Sequence, residues 1–145
     1  MAQQHYQKLV NATKPRRPIL RNAVWAFLIG GTICAIGQVA MNFFIGRGMP
    51  AKEAAGPTAG VMVFLGALLT GLGIYDLIGR VGGMGSALPI TGFANSIVSP
   101  AMEFKREGFV LGVGARMFVI AGPVIVYGLV TSFIVGVIRL IIGVR

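Results

Sequence analysis

From Asn22 to Ile45 the chain runs for 24 residues without an Asp, Glu, Lys or Arg. A helix of that length rises about 36 Å, enough to cross a bilayer core of about 30 Å. The pattern returns from Gly56 to Ile74, with Asp76 just beyond, and again from Met117 to Ile138. Buried helices of soluble domains rarely sustain about 18 apolar residues, and three such runs in 145 residues leave no length for a soluble core. The expectation is an all-α integral membrane protein: a basic tail over 1–21, then one membrane domain over 22–145 with long spans at about 22–45, 56–79 and 117–139.

Residues 81–102 break the pattern. They carry no charge, yet Gly82, Gly83, Gly85, Pro89, Gly92 and Pro100 interrupt what would otherwise be a fourth apolar run. Backbone freed from helical pairing cannot face lipid and survives at membrane depth only where protein covers it or water reaches it. Ser86, Thr91, Asn95, Ser96 and Ser99 add side-chain polarity in the same stretch. This favours a broken or re-entrant segment; a kinked fourth span or an interfacial loop is the alternative.

Composition agrees with the pattern. Mean hydropathy is +0.80 and 55% of residues are hydrophobic, while 22 glycines suit close helix packing or broken backbone. The net charge of +9 does not indicate nucleic acid, because the basic residues flank the spans. Lys8, Lys14, Arg16, Arg17 and Arg21 precede the first span and only Arg47 and Lys52 follow it, which puts the N-terminus in the cytoplasm. If 81–102 dips and returns, Lys and Arg divide nine inside to four outside; if it crosses, eight to five. Within the tail, Tyr6, Leu9, Val10 and Thr13 keep helical spacing, which fits a surface helix or a frayed end. The first run is too long for a signal peptide and reads as an uncleaved span.

Candidate chemistry is sparse. Ala26, Gly30, Cys34, Gln38 and Asn42 recur at four-residue intervals along the first span, a stripe suited to helix packing or to lining a pore. Gly128, Ser132 and Gly136 repeat the theme in the last span. Asp76 and Arg80 stand one turn apart, an interfacial ion pair or a charged entrance to a path. Arg116, flanked by long uncharged stretches, must snorkel, pair or meet an anion. His5 is the only histidine, the carboxylates of Glu103 and Glu107 lie in a connector, and no GxGxxG is completed. No enzyme, metal site or cofactor is expected, and lone Cys34 cannot form an intrachain disulfide.

At AFLIGGTICAIGQ (26–38), LLTGLGIYDLIG (68–79), GSALPITGFANSIVSPAMEF (85–104) and REGFVLGVGARMF (106–118) the chain resembles the stage V sporulation protein A membrane subunits. Its length, the KPRRPILRN lead-in (14–22) and REGFVLGVG are most like the AC-type subunits (SpoVAC), with the AE type next. The resemblance covers about 14–142. It implies a channel or transport subunit of the forespore and spore inner membrane that moves dipicolinic acid, with calcium, in sporulation and germination, and a mechanosensitive channel component. It also implies an AE-type membrane partner and a soluble AD partner that binds dipicolinate. No residue-level motif carries over.

Beside that implication, dipicolinate is a rigid dianion, for which Arg116, Arg80 and freed backbone N–H groups near Gly82–Gly92 are candidate attractors. Its one-to-one calcium chelate is nearly neutral and needs polar substitutes for water, for which Gln38, Thr91, Asn95 and Ser96 are candidates. Three spans enclose little space, so a homo- or hetero-oligomer is expected. The competing functions are a non-conducting scaffold anchoring a soluble partner, and a small membrane enzyme whose required acid and arginine clusters are missing.

Overall fold

The structure, a computed structural model, describes residue 6 and residues 18–143. The proposed surface helix built on Leu9, Val10 and Thr13 lies outside the described residues. Helix α1 (Ile19–Gly46) starts directly after Pro18, whose carbonyl accepts the Asn22 N–H at 3.0 Å. It ends where Gly48 turns at φ +91°, and Pro50 opens helix α2 (Ala51–Gly71). Helix α6 (Ala115–Ile142) is continuous with a π-helical turn over Phe109–Gly114. These three elements are long and apolar enough to cross a membrane.

The second span is shorter than its hydropathy predicts. Gly71-Leu72-Gly73 ends α2: the Gly73 N–H donates to Thr70 O at 2.9 Å and the Ile74 N–H to Leu69 O at 2.9 Å, with Gly73 at φ +73°. This is a Schellman stop, which needs a left-handed residue that glycine supplies without a Cβ penalty. The expected continuation to residue 79 is therefore a separate helix, α3 (Tyr75–Gly82), and Asp76 and Arg80 belong to it. The hydropathy run hid the break because Leu72 and Ile74 are both apolar.

Residues 81–102 form no single helix. Gly83, at φ +49°, separates α3 from the short helix α4 (Met84–Ala87), and Pro89 caps helix α5 (Ile90–Glu103). At 14 residues, α5 rises about 21 Å and falls short of a bilayer core of about 30 Å. The break expected from the crowded glycines and prolines is present, and α5 is too short to be a full fourth span. A 3₁₀ turn (Phe104–Glu107) and Gly108 at φ +96° then reverse the chain into α6.

Packing centres on the broken segment. Helix α5 lies against α2 more extensively than any other pair of elements, α6 covers α5, and α1 carries α3 and α4 on one face. Two close approaches set this arrangement. A Cβ on Gly66 of α2 would stand 2.7 Å from Thr91 O of α5, and one on Gly85 of α4 would collide with the Ala26 carbonyl of α1. Among the described residues, buried side chains are small or hydroxylated (Ala54, Ala94, Ala121, Thr70, Ser86 and Thr91), with Met62 and Tyr75 the only large ones. The large apolar residues face outward, Phe133 at 73% and Leu140 at 84% exposure, as lipid-solvated helices require.

Candidate functional site: a polar cavity in the broken segment

The short helices α3 and α5 face one another with their polar sides. On α3, Asp76, Gly79 and Arg80 lie within one turn, followed by Gly83 just past its end; on α5, Asn95, Ser99 and Glu103 form a four-residue stripe with Ser96 beside it. Between them lies a cavity of about 920 Å³, closed on its apolar side by Ile120 and Val124 of α6. Two carboxylates, one guanidinium, an amide and three serines line it, alongside apolar Leu88, Phe93, Ile120 and Val124. Asp76, Ser99 and Glu103 are also shared with a second cavity of about 450 Å³ that reaches Thr70 and the C-terminal end of α2.

Behind the cavity wall, hydrogen bonds fix the broken backbone. The Tyr75 hydroxyl, 3% exposed as a residue, donates to Ser86 O at 2.7 Å and lies 2.8 Å from Thr91 Oγ1, which supplies its own proton in return. Ser86 Oγ donates to Gly83 O at 2.8 Å and Ser96 Oγ to Phe93 O at 2.8 Å. Thr70 Oγ1 donates to Gly66 O at 2.6 Å and stands 3.0 Å from Asn95 Oδ1. No buried side-chain oxygen or nitrogen among the described residues lacks a partner, so these groups stabilise the break without cost from unpaired polarity.

The candidate residues divide. Asp76, Arg80, Ser86, Asn95 and Ser96 line the cavity together. Thr91 stands behind its wall as Tyr75's partner. Asp76 and Arg80 share the rim, yet no ion pair within 4.0 Å joins Lys or Arg to Asp or Glu among the described residues, so the expected mutual neutralisation is not formed. Gln38 and Asn42 lie on the exposed far half of α1, where the Gln38 amide donates to Asn42 Oδ1 at 2.9 Å. Arg116 does not line the cavity; its guanidinium sits 4.7 Å over the Phe104 ring, a cation–π contact.

Of the packing stripe, Ala26 and Gly30 meet Gly85, whereas Cys34 is exposed. Gly128, Ser132 and Gly136 are exposed on α6, and a Cβ on either glycine would meet nothing within 4 Å. Tyr75, Thr70 and Glu103 were missing from the candidate residues. Glu103 carries a signal in hindsight, since it follows Asn95 and Ser99 at four-residue steps; Tyr75 and Thr70 act through partners 11 to 25 residues away.

Residues 22–138 match the family described as SpoVAC/SpoVAEB sporulation membrane proteins. The chain belongs to that family. It is also 52% identical over 137 residues to stage V sporulation protein AC of Bacillus subtilis (strain 168), covering 94% of this chain and 91% of the relative. The family match begins at the first residue of the charge-free run and spans the whole broken segment. No solved structure matches the chain.

Proposed function

We propose that the chain is a channel or transport subunit through which dipicolinic acid, as its calcium chelate, crosses the forespore and spore inner membrane, entering in sporulation and leaving in germination. The observation that carries the reading is the polar cavity of about 920 Å³ held between α3 and α5 in a chain with three span-length apolar helices. Polar backbone and side chains gathered at a break between spans are the usual construction of a membrane transport site. The lining favours the chelate over the free dianion: Asp76 and Glu103 would repel two carboxylates that Arg80 alone must hold, whereas a calcium-bearing cargo meets both signs.

In this reading Arg80 attracts a carboxylate of the cargo, Asp76 and Glu103 face its calcium, and Asn95, Ser96 and Ser99 replace water. Calcium here is cargo. The N-terminus lies on the cytoplasmic side, and the chain works with an AE-type membrane subunit and a soluble AD subunit. The test is release of calcium dipicolinate from loaded liposomes containing the purified protein, alone and with the membrane partner, under osmotic downshift and without it. Release above that of empty liposomes, reduced several-fold in Arg80→Gln, is expected. Absence of release in both preparations would leave a non-conducting scaffold as the function.

A further inference from the structure

Helices α1, α2 and α3 enclose a second hollow of opposite character. It measures about 730 Å³ and its floor is apolar: Ile29, Ile33 and Ile36 of α1 with Leu65 and Leu69 of α2. Leu77 and Val81 of α3 form its open edge, 59% and 50% exposed, so it communicates with the surroundings of the helices. Tyr75 belongs to the walls of both this groove and the polar cavity.

We propose that this groove is a phospholipid site that takes one acyl chain of the leaflet on the N-terminal side of α1. Its length supports this. From Trp25 to Ile36 the groove follows α1 for about 16 Å, and one leaflet of a hydrocarbon core of about 30 Å is about 15 Å deep. Its ends are marked as a lipid's would be. Trp25 lines the mouth, at the depth where tryptophans anchor to headgroups. Arg21, exposed and one turn before Trp25 on the same face, places a cation where the phosphate would lie. The apolar floor ends at Ile36, about one turn past the midpoint of α1, which suits a chain that ends in mid-membrane.

The consequence is a lipid beside the cavity wall. A chain lying in the groove packs against the ring of Tyr75, whose hydroxyl holds Ser86 O and Thr91 on the polar side. Occupancy therefore bears on the geometry of the cavity through one residue. This inference does not depend on the identity of the cargo.

The test is photolabelling in phosphatidylcholine nanodiscs doped with phosphatidylglycerol that carries a diazirine near the end of one acyl chain, with labelled residues mapped by mass spectrometry. Labelling at Ile33 and Ile36 should exceed that at lipid-facing Phe133 by about tenfold, equivalent to about 1.4 kcal/mol of preference. Val81→Trp, which fills the open edge from a half-exposed position, should remove that excess and leave Phe133 labelling unchanged. Arg21→Gln, at an exposed position with no packing role, should lower the excess for phosphatidylglycerol more than for a phosphatidylcholine probe of the same chain. Groove labelling equal to that at Phe133 would overturn the proposal, as would cross-links showing a helix of a second copy in the groove, or an excess that survives Val81→Trp.

Discussion

Tyr75 joins α3, α4 and α5 through one oxygen, donating to Ser86 O and receiving the Thr91 proton. Tyr75→Phe keeps the ring and leaves both partners unsatisfied in a buried place, which should cost about 1–2 kcal/mol and lower the melting temperature of the purified protein. The two arginines should behave differently. Arg80 lines the cavity, so Arg80→Gln should slow calcium dipicolinate release at unchanged abundance. Arg116 lies over Phe104, so Arg116→Gln should lose about 1 kcal/mol of stability while release per folded protein stays at the wild-type level. A melting curve and a flux trace on each variant separate the roles. From sequence alone Arg116 looked the more telling arginine, because it stands among uncharged residues. Its partner Phe104 is brought to it by the 3₁₀ and π turns between, which hydropathy does not register.

At the scale of elements, neighbouring glycines of α1 make a controlled comparison. A Cβ on Gly30 would stand 3.0 Å from Gly85 O, whereas one on Gly31 meets nothing within 4 Å. Gly30→Leu should force α4 from α1 and lower the melting temperature. Gly31→Leu, with the same gain in helix propensity, should leave it unchanged or raise it slightly. The three spans were legible because each is a charge-free run about as long as a bilayer core requires or longer. The break in 81–102 was legible because glycine and proline crowd an uncharged stretch. The end of α2 was less so: Gly73 is the Schellman residue, but apolar neighbours carry the run past it. The polar faces of α3 and α5 could be read separately from their spacing. Their juxtaposition could not, since it depends on Gly66 admitting Thr91 and on α1 receiving Gly85.

At the scale of the molecule, one chain supplies two adjoining cavities and an apolar groove but leaves most of α6 without protein neighbours, with only Ala121 buried along its 28 residues. Lipid or a further subunit must solvate that helix. If assembly uses the open glycine face, the double variant Gly128→Leu/Gly136→Leu should lower the oligomeric mass measured in nanodiscs while leaving the melting temperature of the fold in place. Equal masses would assign that face to lipid. The family and the membrane character were both readable from the ordered motifs between residues 26 and 118, because they carry the spans and the break together. The cavity itself needed coordinates, since its lining comes from residues 75 to 124 on four helices.

On the function proposed above, the cavity between α3 and α5 is a water-filled place where cargo sits. In sealed vesicles, the rate at which a membrane-impermeant thiol reagent modifies Ser96→Cys in a Cys34→Ser background tests it directly, with Phe133→Cys as the lipid-facing reference. The account predicts that Ser96→Cys reacts well above Phe133→Cys and that calcium dipicolinate slows it, leaving any reaction at the reference unchanged. A Ser96→Cys as silent as Phe133→Cys, or one whose rate ignores calcium dipicolinate, would contradict it.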